Sequence, residues 1–254
     1  MQKYKNSLNV LKVLVFKLKM EIIIIFVKKI NFIRMKKNKQ ALQAQYDFII
    51  EYFQEHNPAA ASELQFKNPY QLLVAVVLSA QCTDKRVNMI TPPLFEKYPT
   101  PEKMAMATEN EIYEMIKSVS YPNSKAKHLK GLSLKLVSDY GAVVPQTQEQ
   151  LLTLPGVGRK SANVVLSVCF DQPYMPVDTH VFRVANRLGI VSNAKTPLDV
   201  ELQLTENFPK HLIPVAHHWL ILHGRYICLA RKPQCDKCGL TSICDYYQSG
   251  KNKV

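Results

Sequence analysis

Two stretches of this chain place reactive side chains at spacings that chemistry can use. Residues 154–166, LPGVGRKSANVVL, set Lys160 just behind Gly156, Val157 and Gly158, in a protein of 254 residues with only eight glycines. Residues 228–244, CLARKPQCDKCGLTSIC, carry Cys228, Cys235, Cys238 and Cys244 with the spacing C-x6-C-x2-C-x5-C. A lysine attacks carbon only as the neutral amine, and an unperturbed lysine is neutral about one part in a thousand near pH 7. A helix N-terminus, neighbouring cations and burial all favour the neutral amine and make it a nucleophile. Four thiolates so close in sequence can converge on one metal centre. Spacing alone leaves both an iron–sulfur cluster and zinc open.

The elements that must position these groups are helices. A helix ending at Leu154, a Pro-Gly-Val-Gly turn and a new helix from about Arg159 make a helix–hairpin–helix. Glycine there permits positive φ and lets another backbone approach closely. The amides at the start of the second helix then suit a phosphate, with flanking Arg159 and Lys160 adding charge. Such a grip reads backbone and carries no sequence specificity. Asp178, in PVDTHVFRV, stands at an N-cap position ahead of Thr179. Capping would also fix its carboxylate in place.

Elsewhere apolar residues recur at helical spacing: Leu42, Tyr46, Ile49 and Phe53; Ala162, Val165, Leu166 and Cys169; Val215, Trp219 and Leu222. Leu72–Leu78 is apolar on all sides, which predicts a central, buried helix. Thr108 with Glu111, and Thr147 with Gln150, predict capping boxes. No period-two alternation, internal repeat or long linker interrupts the pattern, so the class is all-α. Cys82 and Cys169 stand apart from the cysteine group, Cys169 as a core residue.

Formal net charge is +13, but residues 1–34 hold eight basic side chains against Glu21 alone, leaving about half the excess for the remainder. Charge by itself is therefore a weak argument for a nucleic-acid partner. Residues 1–34 read as an extension outside the fold. Their longest apolar run, Ile22–Val27, is too short for a membrane span or a signal peptide. The expectation is a cytoplasmic protein, neither secreted nor membrane-bound, whose cysteines bind metal or sit in the core.

Taken together, LPGVGRKSANVVL, VDTHVFRVANRLG, LLVAVVLSAQCTD, HHWLILHGRYIC and the cysteine spacing resemble the endonuclease III family, bifunctional DNA glycosylase/lyases of base-excision repair. The resemblance runs from about Lys39 to Tyr247. It implies a bilobed all-helical glycosylase fold: a helical barrel over 62–172 holding the hairpin, and a second lobe from 35–61 plus 173–254. The second lobe would carry one [4Fe-4S] cluster on Cys228, Cys235, Cys238 and Cys244. The implied substrate is duplex DNA with oxidised or saturated pyrimidines or abasic sites, bound by a monomer. Lys160 matches the catalytic amine and Asp178 the catalytic carboxylate. Gln81 matches the residue that fills the gap left by an extruded base. The wedge opposite it departs from the family: SYPNSKA replaces a glycine, a large apolar residue and an aromatic, leaving Tyr121 to insert by stacking. Gly156, Val157, Gly158, His180, Arg231 and Lys232 complete the implied DNA-contacting set. Two rival readings are an adenine-specific mismatch glycosylase and a non-catalytic DNA-binding module. Lysine at 160 and the short tail after Cys244 argue against the first. The presence of both Lys160 and Asp178 argues against the second.

Overall fold

A computed structural model describes residues 39–251, so the extension 1–34 lies outside the described residues. Two compact units divide at Phe48 and Ile49. Of the first, residues 39–48 are described and are helical throughout; the second opens on the helical stretch 49–56 (α1). Its remaining helices are α2 (Pro69–Ser79), α3 (Asp84–Lys97), α4 (Pro101–Met106), α5 (Glu109–Ile116), α6 (Pro122–Tyr140), α7 (Gln148–Leu152), α8 (Arg159–Phe170), α9 (Thr179–Leu188), α10 (Pro197–Asn207), α11 (Ile213–Tyr226) and α12 (Asp245–Gln248). Among the described residues there is no strand. The class is all-α, as the sequence predicts.

The helix starts are written in side chains. Asn68, Thr83, Thr100, Thr108, Thr147 and Thr196 each accept a backbone amide from the first turn of the helix they precede. This satisfies donors that have no intrahelical partner. Thr108 and Glu111 form the full reciprocal box. At Thr147 only half of it forms, because Gln150 Oε1 takes the Thr147 hydroxyl at 3.0 Å instead of the backbone. A second full box, Thr196 with Asp199, opens α10.

Leu72–Leu78 is buried at every position, and α2 packs against α3, α6 and α8. A contiguous core runs from Leu64 to Leu166, with half-buried Cys169 packed against it. The predicted stripe on α11 is displaced. Trp219 is buried, but Val215 and Leu222 are half-exposed, and the buried face is completed by His217 and His223. Burial holds His223 at about 4 and His217 well below its ordinary value. Both rings are thus neutral, and a neutral imidazole packs where a pattern of apolar letters does not foresee it. Trp219 stacks on Phe53 of α1 at 5.7 Å and donates from Nε1 to the Asn57 carbonyl at 2.9 Å.

Candidate active site and cysteine loop

The hairpin forms where expected, with α7 ending two residues early at Leu152 and Leu154 buried in the turn. Its two glycines serve different ends. Gly156 has φ +79, and a Cβ there would lie 2.9 Å from His128 Cβ and Cγ. Gly158 has extended backbone, φ −97 and ψ 177, and a Cβ there would meet nothing within 4 Å. Positive φ is therefore required only at Gly156, whereas Gly158 leaves an open backbone face at the N-terminus of α8. No side chain caps that helix, and no acidic residue stands in its first turn.

Arg159, read as a phosphate partner, is otherwise engaged. Its Nε and Nη2 meet the two oxygens of buried Glu201 at 3.0 and 2.6 Å, and Nη1 donates to Gln148 at 3.2 Å. This fork ties α8 to α10 and α7. Lys160 is exposed, so burial is not supplied to its amine by the protein. Its side chain borders a cavity of about 60 Å³ with Ser62, Glu63, Asp84, His217 and Arg225. That cavity shares Glu63, Asp84 and Arg225 with a cleft of about 800 Å³ reaching His180, Cys82 and Tyr226. The shared residues form a network that sequence reading missed. Arg225 Nη1 donates to Asp84 at 2.6 Å and to Glu63, and the Tyr226 hydroxyl also donates to Glu63. Burial, then the Arg225 charge, holds His218 beside it at about 4.

Asp178 caps α9 as predicted: Oδ1 accepts from His180 N at 2.8 Å and Val181 N at 2.9 Å. It lines neither cavity. Gln81 and Tyr121 are brought together from loops 40 residues apart in sequence. Both take left-handed backbone, φ 53 and 55, and the Ser120 hydroxyl donates to the Gln81 carbonyl at 2.7 Å. Arg231 and Lys232 are exposed on the loop between the first two cysteines, with Lys232 also left-handed at φ 50.

The four C-terminal cysteines are free thiols lining one pocket with Arg187 and His223. Burial raises the thiols of Cys235 and Cys244, and that of Cys238 to about 11. Thiols so placed ionise only with a cationic group to compensate them. Among the described residues no three His, Cys, Asp or Glu side chains are placed to hold a metal ion. Around the pocket, α9 grips the loop. Arg183 donates to the carbonyls of Cys228 and Gly224 at 3.1 and 2.8 Å. Arg187 donates to Leu229 and Ala230 carbonyls at 2.6 and 2.9 Å, with Cys228 Sγ 3.4 Å away and the Tyr246 ring 4.4 Å away.

Residues 74–210 match the model of the HhH-GPD superfamily base excision DNA repair proteins. The chain is similar to endonuclease III of Rickettsia conorii, 52% identical over 199 residues that cover 78% of this chain and 94% of that one. It is also similar to endonuclease III of Escherichia coli K12, 41% identical over 198 residues, 78% of this chain and 93% of the relative. A solved endonuclease III trapped as a covalent intermediate with DNA, with an estranged adenine, superposes with a TM-score of 0.78 at 41% identity, covering 82% of this chain and 98% of that one. No helix of the described residues is long and apolar enough to cross a membrane. With nearly the whole length of these relatives matched at such identities, the chain belongs to the endonuclease III family of base excision DNA repair proteins.

Proposed function

We propose that the protein removes oxidised or saturated pyrimidines from duplex DNA and then cuts the strand at the abasic site. It is a DNA glycosylase with abasic-site lyase activity. The observation that carries this reading is Lys160: an exposed amine in the first turn of α8, two residues past Gly158 of the hairpin, bordering a cavity that runs on into the cleft. A base stacked in the duplex hides its glycosidic carbon, so the nucleotide must be extruded. The hairpin amides at Gly156 and Gly158 hold the backbone phosphate, while the Val157 amide closes the turn on the Leu154 carbonyl at 3.1 Å and Val157 contributes by its place between them; the amine then faces the sugar.

Neutral Lys160 attacks C1′ and the base departs with the electrons of the glycosidic bond. The attached nitrogen gives up one of its two protons, its lone pair then breaks the C1′–O4′ bond, O4′ takes a proton, and an iminium (protonated Schiff base) forms at C1′. The iminium acidifies the C2′ proton. Its removal drives β-elimination, in which the 3′ C–O bond breaks and its electrons leave on the phosphate. Asp178 stabilises positive charge developing on the sugar and assists the proton transfers. Its carboxylate is held for this by two amides of α9. Gln81 and Tyr121 fill the space vacated by the extruded nucleotide, and His180, Arg231 and Lys232 contact the backbone.

Cys228, Cys235, Cys238 and Cys244 would hold a [4Fe-4S] cluster. Four thiols lining one pocket, three of them disfavoured as thiolates by burial, fit a cationic polynuclear group. Bound there, such a group would offset part of the thiolate charge, and its four cysteines would hold the loop carrying Arg231 and Lys232. The lobes implied by the sequence, 62–172 and 35–61 with 173–254, belong to the same reading, as do a monomeric state and a place on cytoplasmic DNA.

The test is borohydride trapping on duplexes bearing thymine glycol or an abasic site. Wild type becomes covalently attached and nicks the strand; Lys160→Gln binds both duplexes without attachment or nicking. Trapping of Lys160→Gln at the wild-type level would place the nucleophile elsewhere. Binding without nicking by wild type would favour a non-catalytic module, and release of adenine alone the mismatch glycosylase.

A further inference from the structure

One buried cation takes no part in the chemistry above. Lys125, in the first turns of α6, is 4% exposed. Its partners are backbone carbonyls rather than a carboxylate: Nζ donates to Leu78 at 2.8 Å and to Ala80 at 2.7 Å. These carbonyls belong to the last turn and C-cap of α2, where intrahelical donors run out and the helix dipole favours a cation. Burial still works against the charge and lowers Lys125 below the ordinary lysine range.

The next residue after this clamp is Gln81. Its carbonyl accepts the Ser120 hydroxyl at 2.7 Å, and Ser120 leads into Tyr121, 64% exposed. The backbone amide of Lys125 in turn donates to the Tyr121 carbonyl at 3.1 Å. One residue therefore bonds the end of α2 through its side chain and the start of α6 through its backbone. Neither Gln81 nor Tyr121 is glycine, yet both are left-handed. Such backbone is strained for a residue with a Cβ and persists only where the surroundings over-determine it.

We propose that Lys125 is a positioning residue that locks Gln81 and Tyr121 side by side as one two-pronged element for insertion into the duplex. The proposal rests on the reading that these two side chains enter DNA. Its substance is that they act as a unit, because a single buried ammonium sets the spacing between their loops. Ser120 is the second, weaker tie.

The test compares Lys125→Met, which keeps the stem and loses the donors, with Lys125→Arg and Ser120→Ala. The probes are a thymine glycol duplex with 2-aminopurine placed opposite the lesion, and the same strand with an abasic nucleotide in a one-residue bulge. Filling of the gap registers as a change in 2-aminopurine fluorescence on binding. The bulged nucleotide already lies outside the stack and asks little of the insertion. Lys125→Met is expected to lose the fluorescence change and about tenfold or more in single-turnover base removal on the paired duplex, since misplacement by about 1 Å can cost that much or more. On the bulged strand it is expected to nick within about threefold of wild type, since the Lys160 chemistry is intact. Lys125→Arg, with donors retained, should restore part of the signal. Lys125→Met added to the Gln81→Ala, Tyr121→Ala double variant should slow base removal no further than that double variant alone.

A wild-type fluorescence change in both Lys125→Met and Ser120→Ala, while Gln81→Ala and Tyr121→Ala lose it, would overturn the positioning role. A wild-type change in Gln81→Ala and Tyr121→Ala would instead overturn the insertion reading beneath it. If Lys125→Met does not fold, Ser120→Ala decides alone. Reduced fluorescence with unchanged bulge nicking supports the proposal, and wild-type behaviour on both probes refutes it.

Discussion

The two hairpin glycines should fail in different ways. At Gly156 an alanine would carry a left-handed φ of +79 and a Cβ 2.9 Å from two carbons of the His128 side chain. The backbone term is about 1–2 kcal/mol, and forcing an extra carbon into a filled site adds about 1–3 kcal/mol. The sum is about 2–5 kcal/mol, or on the order of 5–15 °C in Tm for a domain of this size. At Gly158 the backbone is extended and the space open. Alanine there should cost under about 1 kcal/mol, the ordinary difference between glycine and alanine at an N-cap. Its effect should appear in binding. One lost charge-assisted bond from amide to phosphate is worth about 1.5–3 kcal/mol, or about 10–100-fold in Kd. Thermal melting and fluorescence anisotropy, on a duplex bearing an uncleavable abasic analogue, measure the two effects separately. A Gly158→Ala protein that binds DNA like wild type would refute the phosphate role of the hairpin. A Gly156→Ala protein with unchanged Tm would refute the packing argument.

Asp178→Asn keeps an oxygen for the His180 and Val181 amides, so Tm should fall by no more than a few degrees, while base removal slows by about a hundredfold or more; unchanged turnover would reduce Asp178 to a cap. The purified protein should be brown with about four irons per chain, and Cys235→Ser should lose colour and thermal stability together; stoichiometric zinc in the wild type would replace the cluster assignment. Arg159→Ala strands the buried Glu201 carboxylate. With Arg159 itself half-exposed, the loss should be about 2–3 kcal/mol rather than the full value for a buried pair. The salt dependence of DNA binding should stay put, and a flatter slope would return Arg159 to the phosphate-binding set.

What the sequence made legible was local. The hairpin, the Asp178 cap, the Thr108 box and the buried α2 each depend on residues within about one turn of one another, and each is found where its letters put it. Three features depended on partners far along the chain. Arg159 reads as a free cation until α10 brings Glu201 to it, 42 residues on. The Arg225, Glu63 and Asp84 network joins residues more than 140 apart, and nothing at any one position marks it. His217 and His223 interrupt the apolar pattern of α11, and it is their burial among the packed helices that keeps them neutral. In each case the missing information was the charge environment, which only the packed helices supply.

One helix links the two halves of the proposed chemistry. At its N-terminus α9 carries Asp178, held by two amides of its own first turn. Further along, Arg183 and Arg187 stand one turn apart and together grip the carbonyls of Cys228, Leu229 and Ala230 at the mouth of the cysteine loop. Gly224 lets α11 and α9 approach so closely that a Cβ there would lie 2.8 Å from His180 Cβ and 3.2 Å from Val184 Cγ2. The cysteine loop is thus bonded to the same helix that Asp178, the proposed catalytic carboxylate, caps. The proposed cluster would therefore not need to touch substrate to matter: the loop that would hold it is bonded to Arg183 and Arg187, and these lie on the helix whose N-terminus is capped by Asp178.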